Sequence, residues 1–243
     1  MIMRDFSKER VLIGLSGGIN SAAVLCQLAL TPPQMHPLEL HLFYVHLEEH
    51  SPDTKPFVNA CFEFAKLRFK DVRCVDTSAS VNEYFEDKDF IPHPTLSPCT
   101  KDLKILPIMK YCFENLIDTD LIGYVKTEQR RLKNQQSKLK TDLFLSKEYP
   151  IIEESDEWCF DIVLRCIGWY PTIYDIYDIK SRKRVFKHNN CLPCKNMTAK
   201  QFDSVAECYP DKYARAVEVQ NNVSKGHWGR NKGEVTDCNY CKW

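Results

Sequence analysis

The sequence predicts an α/β fold: an open, mostly parallel sheet with helices on both faces. Two observations lead to this prediction. Short apolar runs alternate with stretches of helical periodicity, and a glycine pair separates the first apolar run from the first helix. Because parallel strands need a long crossover connection, a regular alternation of strand and helix is typical of a parallel sheet covered by helices.

The composition is that of a globular protein. Of 243 residues, 44% are hydrophobic, 12% aromatic and 27% charged, which supplies a sizeable core and excludes disordered and fibrous classes. No apolar run approaches the ~18 residues of a membrane span, and Val11–Leu15 is too short for a signal-peptide core. We therefore expect a soluble, cytoplasmic protein with no membrane partner.

The first two strand and helix pairs follow from local patterns. Arg10–Leu15 is an apolar run that stops at Ser16, and no helix breaker follows until Pro32, so a helix is predicted over Ser21–Leu30. Leu38–His46 alternates as a second strand. A second helix then begins at Pro56, and its apolar residues share one face: Phe57, Ala60, Cys61, Phe64 and Leu67.

Later segments continue the alternation and end in a separate module. The remaining predicted strands are Val72–Asp76 and Asp120–Val125, and the remaining predicted helices are Leu103–Leu116, a helix between the Ser155 cap and Gly168, Thr198–Cys208 and Pro210–Asn222. The proline-rich stretch 87–99 is a predicted loop, and the polar stretch Lys126–Asp142 is expected to be mobile unless a ligand orders it. We predict a nucleotide-binding domain over residues 1–178 and a basic, metal-binding module over 179–243.

The strongest motif is Ser16-Gly17-Gly18-Ile19-Asn20-Ser21, between the first strand and the first helix. Adjacent glycines let the backbone approach an anion, Ser16 and Ser21 add hydroxyl donors, and the helix N-terminus adds partial positive charge. The motif therefore predicts a pyrophosphate cradle. It lacks the Lys-Ser/Thr ending of a Walker A loop, which argues against ordinary kinases and GTPases.

This loop resembles the SGGxDS loop of the PP-loop ATP pyrophosphatases, and further segments are similar to the phosphoadenosine phosphosulfate (PAPS) reductase-like family. These segments are Pro98–Lys104, Ile122–Arg131, Tyr149–Glu153, the Ser155 helix and Tyr170–Tyr174. The resemblance covers about residues 8–197 and implies a Rossmann-like fold of the adenine nucleotide alpha hydrolase type. It implies an enzyme that binds ATP or an adenylyl nucleotide with Mg²⁺ and that performs adenylyl transfer with pyrophosphate release, or linked sulfur transfer or reduction.

The resemblance also proposes roles for individual residues. Asn20, Lys104, Glu128 and Arg130 are the catalytic candidates, and the nucleotide-binding candidates are Ser16, Gly17, Gly18, Asn20, Ser21, Lys104 and Arg131. Lys104, Arg130 and Arg131 are suited to transfer at phosphorus, because that reaction depends on positive charge opposite the developing negative charge. Glu128 either holds Mg²⁺ or orients an arginine. Cys99 is a candidate thiol, acting as nucleophile or sulfur carrier, or accompanying substrate binding without reacting.

Two departures from the family pattern leave alternatives open. Asn20 stands where the family has aspartate, which removes a negative charge beside the expected Mg²⁺, and the C-terminal Glu-Cys-Gly motif of PAPS reductases proper is absent from the sequence. One alternative is therefore a catalytically silent nucleotide-binding sensor or decoy. Another is a sulfur-inserting enzyme that modifies nucleic acid.

Four of the twelve cysteines form two pairs at metal-ligand spacing, Cys191 with Cys194 and Cys238 with Cys241. Two such pairs can surround one tetrahedral ion with four thiolates, so we predict a metal site. Zn²⁺ is the preferred ion, and a 4Fe–4S cluster is the alternative, since both accept four cysteines. Redox-active CxxC pairs acting separately are a further interpretation.

The zero net charge conceals an asymmetry between the two halves of the chain. Residues 1–125 carry 12 basic and 17 acidic side chains, whereas residues 126–243 carry 21 and 16. The basic run at 180–187 is compatible with a nucleic-acid partner, and a solvated hairpin explains it as well. The sequence does not decide the oligomeric state, for which a homodimer is one expectation.

Overall fold

The computed structural model describes residues 3–93, 96–138, 145–226 and 228. The strands are β1 (Arg10–Leu15), β2 (Glu39–Leu47), β3 (Val72–Ala79), β4 (Thr119–Leu121) and β5 (Ser146–Glu148). The helices are α1 (Ile19–Ala29), α2 (Thr54–Arg68), α3 (Val81–Asp87), α4 (Pro98–Thr100), α5 (Leu106–Glu114), α6 (Gln129–Lys138), α7 (Asp156–Cys166), α8 (Ala199–Cys208) and α9 (Pro210–Asn222). A π-helical turn, Lys101–Ile105, joins α4 to α5.

The strands form one sheet in the order β3-β2-β1-β4-β5. β1 pairs in parallel with β2 and with β4, and β4 pairs in parallel with β5. The chain therefore extends the sheet first to one side of β1 and later to the other. This strand order and the parallel pairing, with helices between the strands, confirm the predicted open, parallel α/β fold of Rossmann-like type.

The core is centred on β1 and α1. Val11, Leu12 and Ile13 are completely buried, as expected for a central parallel strand that is covered on both faces. Most of α1 is buried as well, and α1 packs against α7. Ser155 accepts a hydrogen bond from the Trp158 backbone N–H at 3.2 Å, which confirms the predicted N-cap of α7.

Three local predictions are corrected by the structure. Leu67, predicted on the buried face of α2, is 84% exposed, because the inward face of α2 includes Val58 and Phe62 instead. β4 ends at Leu121, and the following residues up to Val125 are irregular. The polar stretch after residue 126 is a 3-10 turn followed by α6, so it is regular up to residue 138. Residues 139–144 lie outside the described ranges.

The chain divides into two compact units, each discontinuous in sequence. The first unit comprises residues 1–45, 52–77 and 108–171, and the second comprises 46–51, 78–107 and 172–243. The division therefore does not fall at one point of the chain. The predicted boundary between domains 1–178 and 179–243 stays a prediction.

The second unit contains both helices predicted near the C-terminal end and the predicted basic hairpin, in which Tyr177 pairs with Arg184. None of the helices within the described ranges combines the length and the apolar composition that a bilayer crossing requires.

Candidate functional site

The glycine loop joins β1 to α1 within the first unit. Gly17 has a φ of 74°, a conformation that favours glycine because a side chain there would be strained. The Ser16 backbone N–H donates to Ser21 Oγ at 3.1 Å, and the Ser21 hydroxyl donates to the Gly18 carbonyl at 3.1 Å. The Gly18 N–H donates to Ser16 Oγ at 3.2 Å. In this conformation the two predicted hydroxyl donors hold the loop itself in shape.

The N-terminus of α1 remains suited to an anion. Gly18, the N-cap residue of α1, makes no side-chain capping hydrogen bond, and the first turn of α1 contains no acidic residue. The leading N–H groups of a helix have no partner inside the helix and carry the positive end of its dipole. The backbone of this turn, which includes Asn20 and Ser21, therefore presents the donors that a pyrophosphate requires.

The loop after β4 passes directly over this turn. A Cβ atom at Gly123 would lie 2.8 Å from the Asn20 carbonyl oxygen and 3.1 Å from the Ser21 nitrogen. Since β1 and β4 flank the point at which the strand order reverses, both loops lie where open α/β sheets bind ligands. The structure thus brings together two of the segments on which the sequence resemblance depends.

A polar network connects the two loops to α6. The Asn20 side-chain amide donates to Glu128 Oε2 at 3.3 Å, and Arg131 forms an ion pair with the other carboxylate oxygen of Glu128. Glu128 is only 7% exposed. Asn20 Oδ1 is buried and has no hydrogen-bond partner among the described residues. A buried acceptor without a partner is costly in a folded protein, so this oxygen is suited to a donor or a cation that a ligand brings.

Two tyrosines not predicted as site residues border the network. The Arg131 guanidinium lies 4.7 Å from the Tyr124 ring centroid, and Tyr124 stacks on Tyr149 at 5.6 Å with an interplanar angle of 21°. Burial raises the pKa of Tyr149 to about 12, with smaller contributions from Tyr124 and Asp120. Both tyrosines lie within segments of the sequence resemblance, which was the available signal for them. The predicted Arg130 is exposed on α6.

The predicted Lys104 and Cys99 belong to the second unit, as do Cys191 and Cys194. That Lys104 and Cys99 share one site with the glycine loop therefore stays a prediction. Burial raises the pKa of each of the three thiols, and the positive charge of Lys104 opposes that rise at each of them. Lys104 itself lies in the π-helical turn, an irregularity that is frequent at functional sites.

Two of the four predicted metal ligands lie within the described residues. Cys191 and Cys194 are half-buried, and the intervening Leu192 N–H donates to the Glu49 carbonyl at 2.8 Å. Cys238 and Cys241 lie outside the described residues. Among the described residues, no three His, Cys, Asp or Glu side chains converge closely enough to hold a metal ion. The predicted metal thus depends on ligands from beyond the described ranges.

No protein-family model and no curated protein matches the chain. Several solved structures match it. The U34-tRNA thiolase NcsA from Methanococcus maripaludis, solved with its 4Fe–4S cluster, is 15% identical, with a TM-score of 0.48 over 95% of this chain and 76% of its own.

Two further structures resemble the chain to a similar degree. A PAPS reductase from Candida auris in a phosphate complex is 14% identical, with a TM-score of 0.45 over 71% of this chain and 82% of its own. The NMN synthetase from Francisella tularensis is 11% identical, with a TM-score of 0.44 over 86% of each chain. At these identities and TM-scores the similarity assigns no reaction to this chain.

Proposed function

We propose that this chain is a PAPS reductase-like PP-loop enzyme that binds ATP or a related adenylyl nucleotide where the loops after β1 and β4 meet. The observation that carries the proposal is the convergence of three features in the first unit. These are the uncapped N-terminus of α1, the backbone of Gly123 pressed against it, and the network of Asn20, Glu128 and Arg131.

The proposed roles follow from charge and position. The first-turn N–H groups of α1 bind the phosphates, because a helix N-terminus offers both donors and partial positive charge. Arg131 and the neighbouring Arg130 add cations that stabilise negative charge as pyrophosphate leaves. Glu128 orients Arg131 through their ion pair, while the Tyr124 ring lies 4.7 Å from the same guanidinium.

The residues of this site also fit Mg²⁺. Asn20 Oδ1 is a buried oxygen without a partner among the described residues, and the Glu128 carboxylate lies beside the same side chain. Mg²⁺ prefers oxygen ligands and is usually held by one or two protein groups together with phosphate oxygens. When bound, the ion supplies positive charge to the leaving pyrophosphate. Asn20 and Glu128 would hold it.

The cysteines of the second unit support linked sulfur transfer or reduction. We propose that Cys191, Cys194, Cys238 and Cys241 hold one structural Zn²⁺, with a 4Fe–4S cluster as the alternative. The thiols of Cys191 and Cys194 carry raised pKa values in their buried setting, so metal binding must displace their protons. Negative charge on Cys99 raises the pKa of both thiols further, so Cys99 lies near this pair, and we propose it as the residue that carries sulfur.

The direct test is a pyrophosphate-release assay with ATP and Mg²⁺ across candidate sulfur and nucleotide acceptors, accompanied by calorimetric titration of ATP. We expect saturable ATP binding and acceptor-dependent release, both reduced in Glu128→Gln but unchanged in Glu63→Gln, a control that changes an exposed glutamate of α2 in the same unit. ATP binding without turnover, together with activity appearing in Asn20→Asp, would instead support the silent sensor. Absence of ATP binding refutes both hypotheses.

One observation favours a second candidate, the modification of nucleic acid. Two backbone hydrogen bonds join the strands of the basic hairpin: the Asp178 N–H donates to the Lys183 carbonyl and the Val185 N–H donates to the Ile176 carbonyl, each at 2.8 Å. At its turn Ile179 is 94% exposed, and the basic side chains of Lys180, Arg182 and Lys183 are exposed around it. A hydrogen-bonded hairpin with exposed basic side chains at its turn is suited to binding a phosphate backbone.

Salt-dependent binding to tRNA or single-stranded DNA tests this candidate. Binding should weaken steeply as salt rises, and replacing Lys180 and Lys183 by alanine should make the dependence on log salt shallower by about 1 for each phosphate that the variant no longer neutralises. Replacing two exposed lysines outside the hairpin, Lys70 and Lys110, is the matched control. Absence of binding at low ionic strength removes the candidate.

A further inference from the structure

The basic hairpin runs from residue 176 to residue 185, and its one acidic side chain closes its turn. The Asp178 carbonyl accepts from the Arg182 N–H at 2.8 Å, and the Asp178 carboxylate accepts from the Ser181 N–H at 2.5 Å. Lys200 of α8 forms an ion pair with the same carboxylate. The hydrogen bond with Lys200 is the largest cause that holds the pKa of Asp178 well below its usual range. The negative charge of the hairpin is therefore compensated within the protein.

The basic side chains of the turn are not compensated in this way. Lys180, Arg182 and Lys183 are exposed, and none of them takes part in an ion pair within the described ranges. The Gln201 side-chain amide of α8 donates to the Val185 carbonyl at 3.0 Å, so α8 contacts the hairpin both at its turn and at its base. The turn thus presents cations to solvent. Cations alone do not distinguish paired from unpaired nucleic acid, because both carry phosphates.

Two large apolar side chains are exposed beside these cations. Ile179 is 94% exposed and Tyr177 is 49% exposed. Tyr177 pairs across the hairpin with Arg184, whose guanidinium lies 5.9 Å from the centroid of the tyrosine ring. A phosphate group gains nothing from an aromatic neighbour, whereas the faces of nucleic acid bases stack on aromatic rings and on arginine planes. An exposed tyrosine beside an arginine therefore indicates contact with bases as well as with phosphates.

A base can stack on a protein side chain only when its face is open. Inside a duplex the neighbouring base pairs cover the faces, and a protein reaches them only on single strands or on a base that leaves the stack. We propose that the basic hairpin binds single-stranded nucleic acid, with Tyr177 stacking on an unpaired base while the exposed basic side chains of the turn contact the flanking phosphates. The proposal rests on the second candidate function and names the form of nucleic acid that this hairpin takes.

An abasic strand separates base stacking from phosphate contact. Fluorescence anisotropy with the full chain at about 50 mM salt compares three probes: a single strand of about 15 thymidine nucleotides, the same strand with abasic sites throughout, and a duplex of equal length. The abasic strand offers phosphates without bases, and the duplex covers its base faces. We therefore expect the intact strand to bind at least about 5-fold more tightly than either of the other probes.

Substitutions of the tyrosine test the same point from the side of the protein. Tyr177→Leu keeps an apolar side chain but removes the ring, so it should weaken binding of the intact strand at least about 5-fold and leave the abasic strand and the duplex unchanged. Tyr177→Phe should bind as the wild type does. Phe113→Leu, which removes a 69% exposed ring outside the hairpin, is the matched control.

The salt dependence distinguishes lost stacking from a disrupted hairpin. Because stacking releases no counterions, the slope of log affinity against log salt should be the same in Tyr177→Leu as in the wild type. A shallower slope in this variant would show that phosphate contacts were lost as well, which would contradict a stacking role for Tyr177.

Three outcomes would overturn the proposal. Equal affinity for the intact and abasic strands would do so while leaving nucleic-acid binding in place. Absence of binding by all three probes at low ionic strength would remove the second candidate function and this proposal together. Tighter binding to phosphatidylserine vesicles than to the intact strand, lost in Ile179→Ser, would assign the hairpin to a membrane surface. If Tyr177→Leu fails to fold, the comparison of intact and abasic strands in the wild type still decides.

Discussion

Replacing Gly123 by alanine tests whether the two loops of the nucleotide site are as close as the structure shows. The added Cβ would lie 2.8 Å from the Asn20 carbonyl oxygen, 2.9 Å from its carbon and 3.1 Å from the Ser21 nitrogen. All three are backbone atoms, so no change of side-chain rotamer relieves the contact. Ordinary contact begins near 3.4 Å, and the loop and α1 must therefore separate by roughly half an ångström.

The expected magnitude follows from this overlap. Forcing an extra carbon into a packed site typically costs about 1–3 kcal/mol, which for a chain of this size corresponds to a fall of roughly 2–12 °C in Tm. The same displacement moves the first-turn N–H groups of α1, which are the proposed phosphate donors. We therefore expect ATP affinity to fall at least about 10-fold, equivalent to about 1.4 kcal/mol.

Gly14→Ala is the matched control within the same unit. There the new Cβ would meet only the Ile108 side chain, at 3.5 Å, which is an ordinary contact. Thermal unfolding and calorimetric titration of ATP should show Gly14→Ala close to wild type. If Gly123→Ala unfolds and binds ATP as the control does, the described approach of the two loops is wrong. If only stability falls, the approach is structural and does not shape the nucleotide site.

Three further perturbations have expected outcomes. Asn20→Asp replaces the 3.3 Å amide hydrogen bond to Glu128 by repulsion between two carboxylates. The Tm of this variant should therefore fall without Mg²⁺ and recover when Mg²⁺ is added. A Tm that does not depend on Mg²⁺ would contradict the proposed ion site. Burial raises the pKa of Asp120 from 3.8 to about 6, so the folded state disfavours its charge, and stability falls as pH rises between these values. Asp120→Asn should therefore raise Tm at pH ~8 and have little effect below pH ~4, as unfolding curves at both pH values would show; an equal effect at both would refute this explanation. Cys241→Ser should release Zn²⁺, measured as about one equivalent per chain by elemental analysis, or abolish a visible iron–sulfur absorption. Wild-type protein purified without oxygen and containing neither metal would overturn the metal assignment.

Much of the fold was predictable because it depends on local patterns. β1 matches its predicted bounds, since an apolar run followed by glycines fits a buried central strand leading into a loop. The Ser155 cap and Gly168, which has a φ of 92°, mark the ends of the α7 region through side-chain capping and backbone freedom. Such signals are contained in a few consecutive residues.

Features set by distant parts of the chain were not predictable. The polar sequence of α6 indicates no buried face, yet Glu128 immediately before it pairs with Arg131 and meets Asn20, more than a hundred residues away. β4 ends at Leu121, and the loop after it brings Gly123 against the start of α1, an approach that leaves no periodicity in the sequence. Asn82 resembles any polar residue at a helix start, and only the fold buries its side-chain oxygen with no hydrogen-bond partner among the described residues.

The interleaving of the two units bears on how the chain is made. Residues 46–51 and 78–107 emerge early from the ribosome, but the rest of their unit begins at residue 172, after the entire first unit has been synthesised. In the finished unit the Leu192 N–H donates to the Glu49 carbonyl, although synthesis of more than a hundred residues separates the two. The second unit therefore cannot be completed until the residues from 172 onward have been synthesised, although its two early segments can already form the hydrogen bonds that join Glu49 to the start of α3.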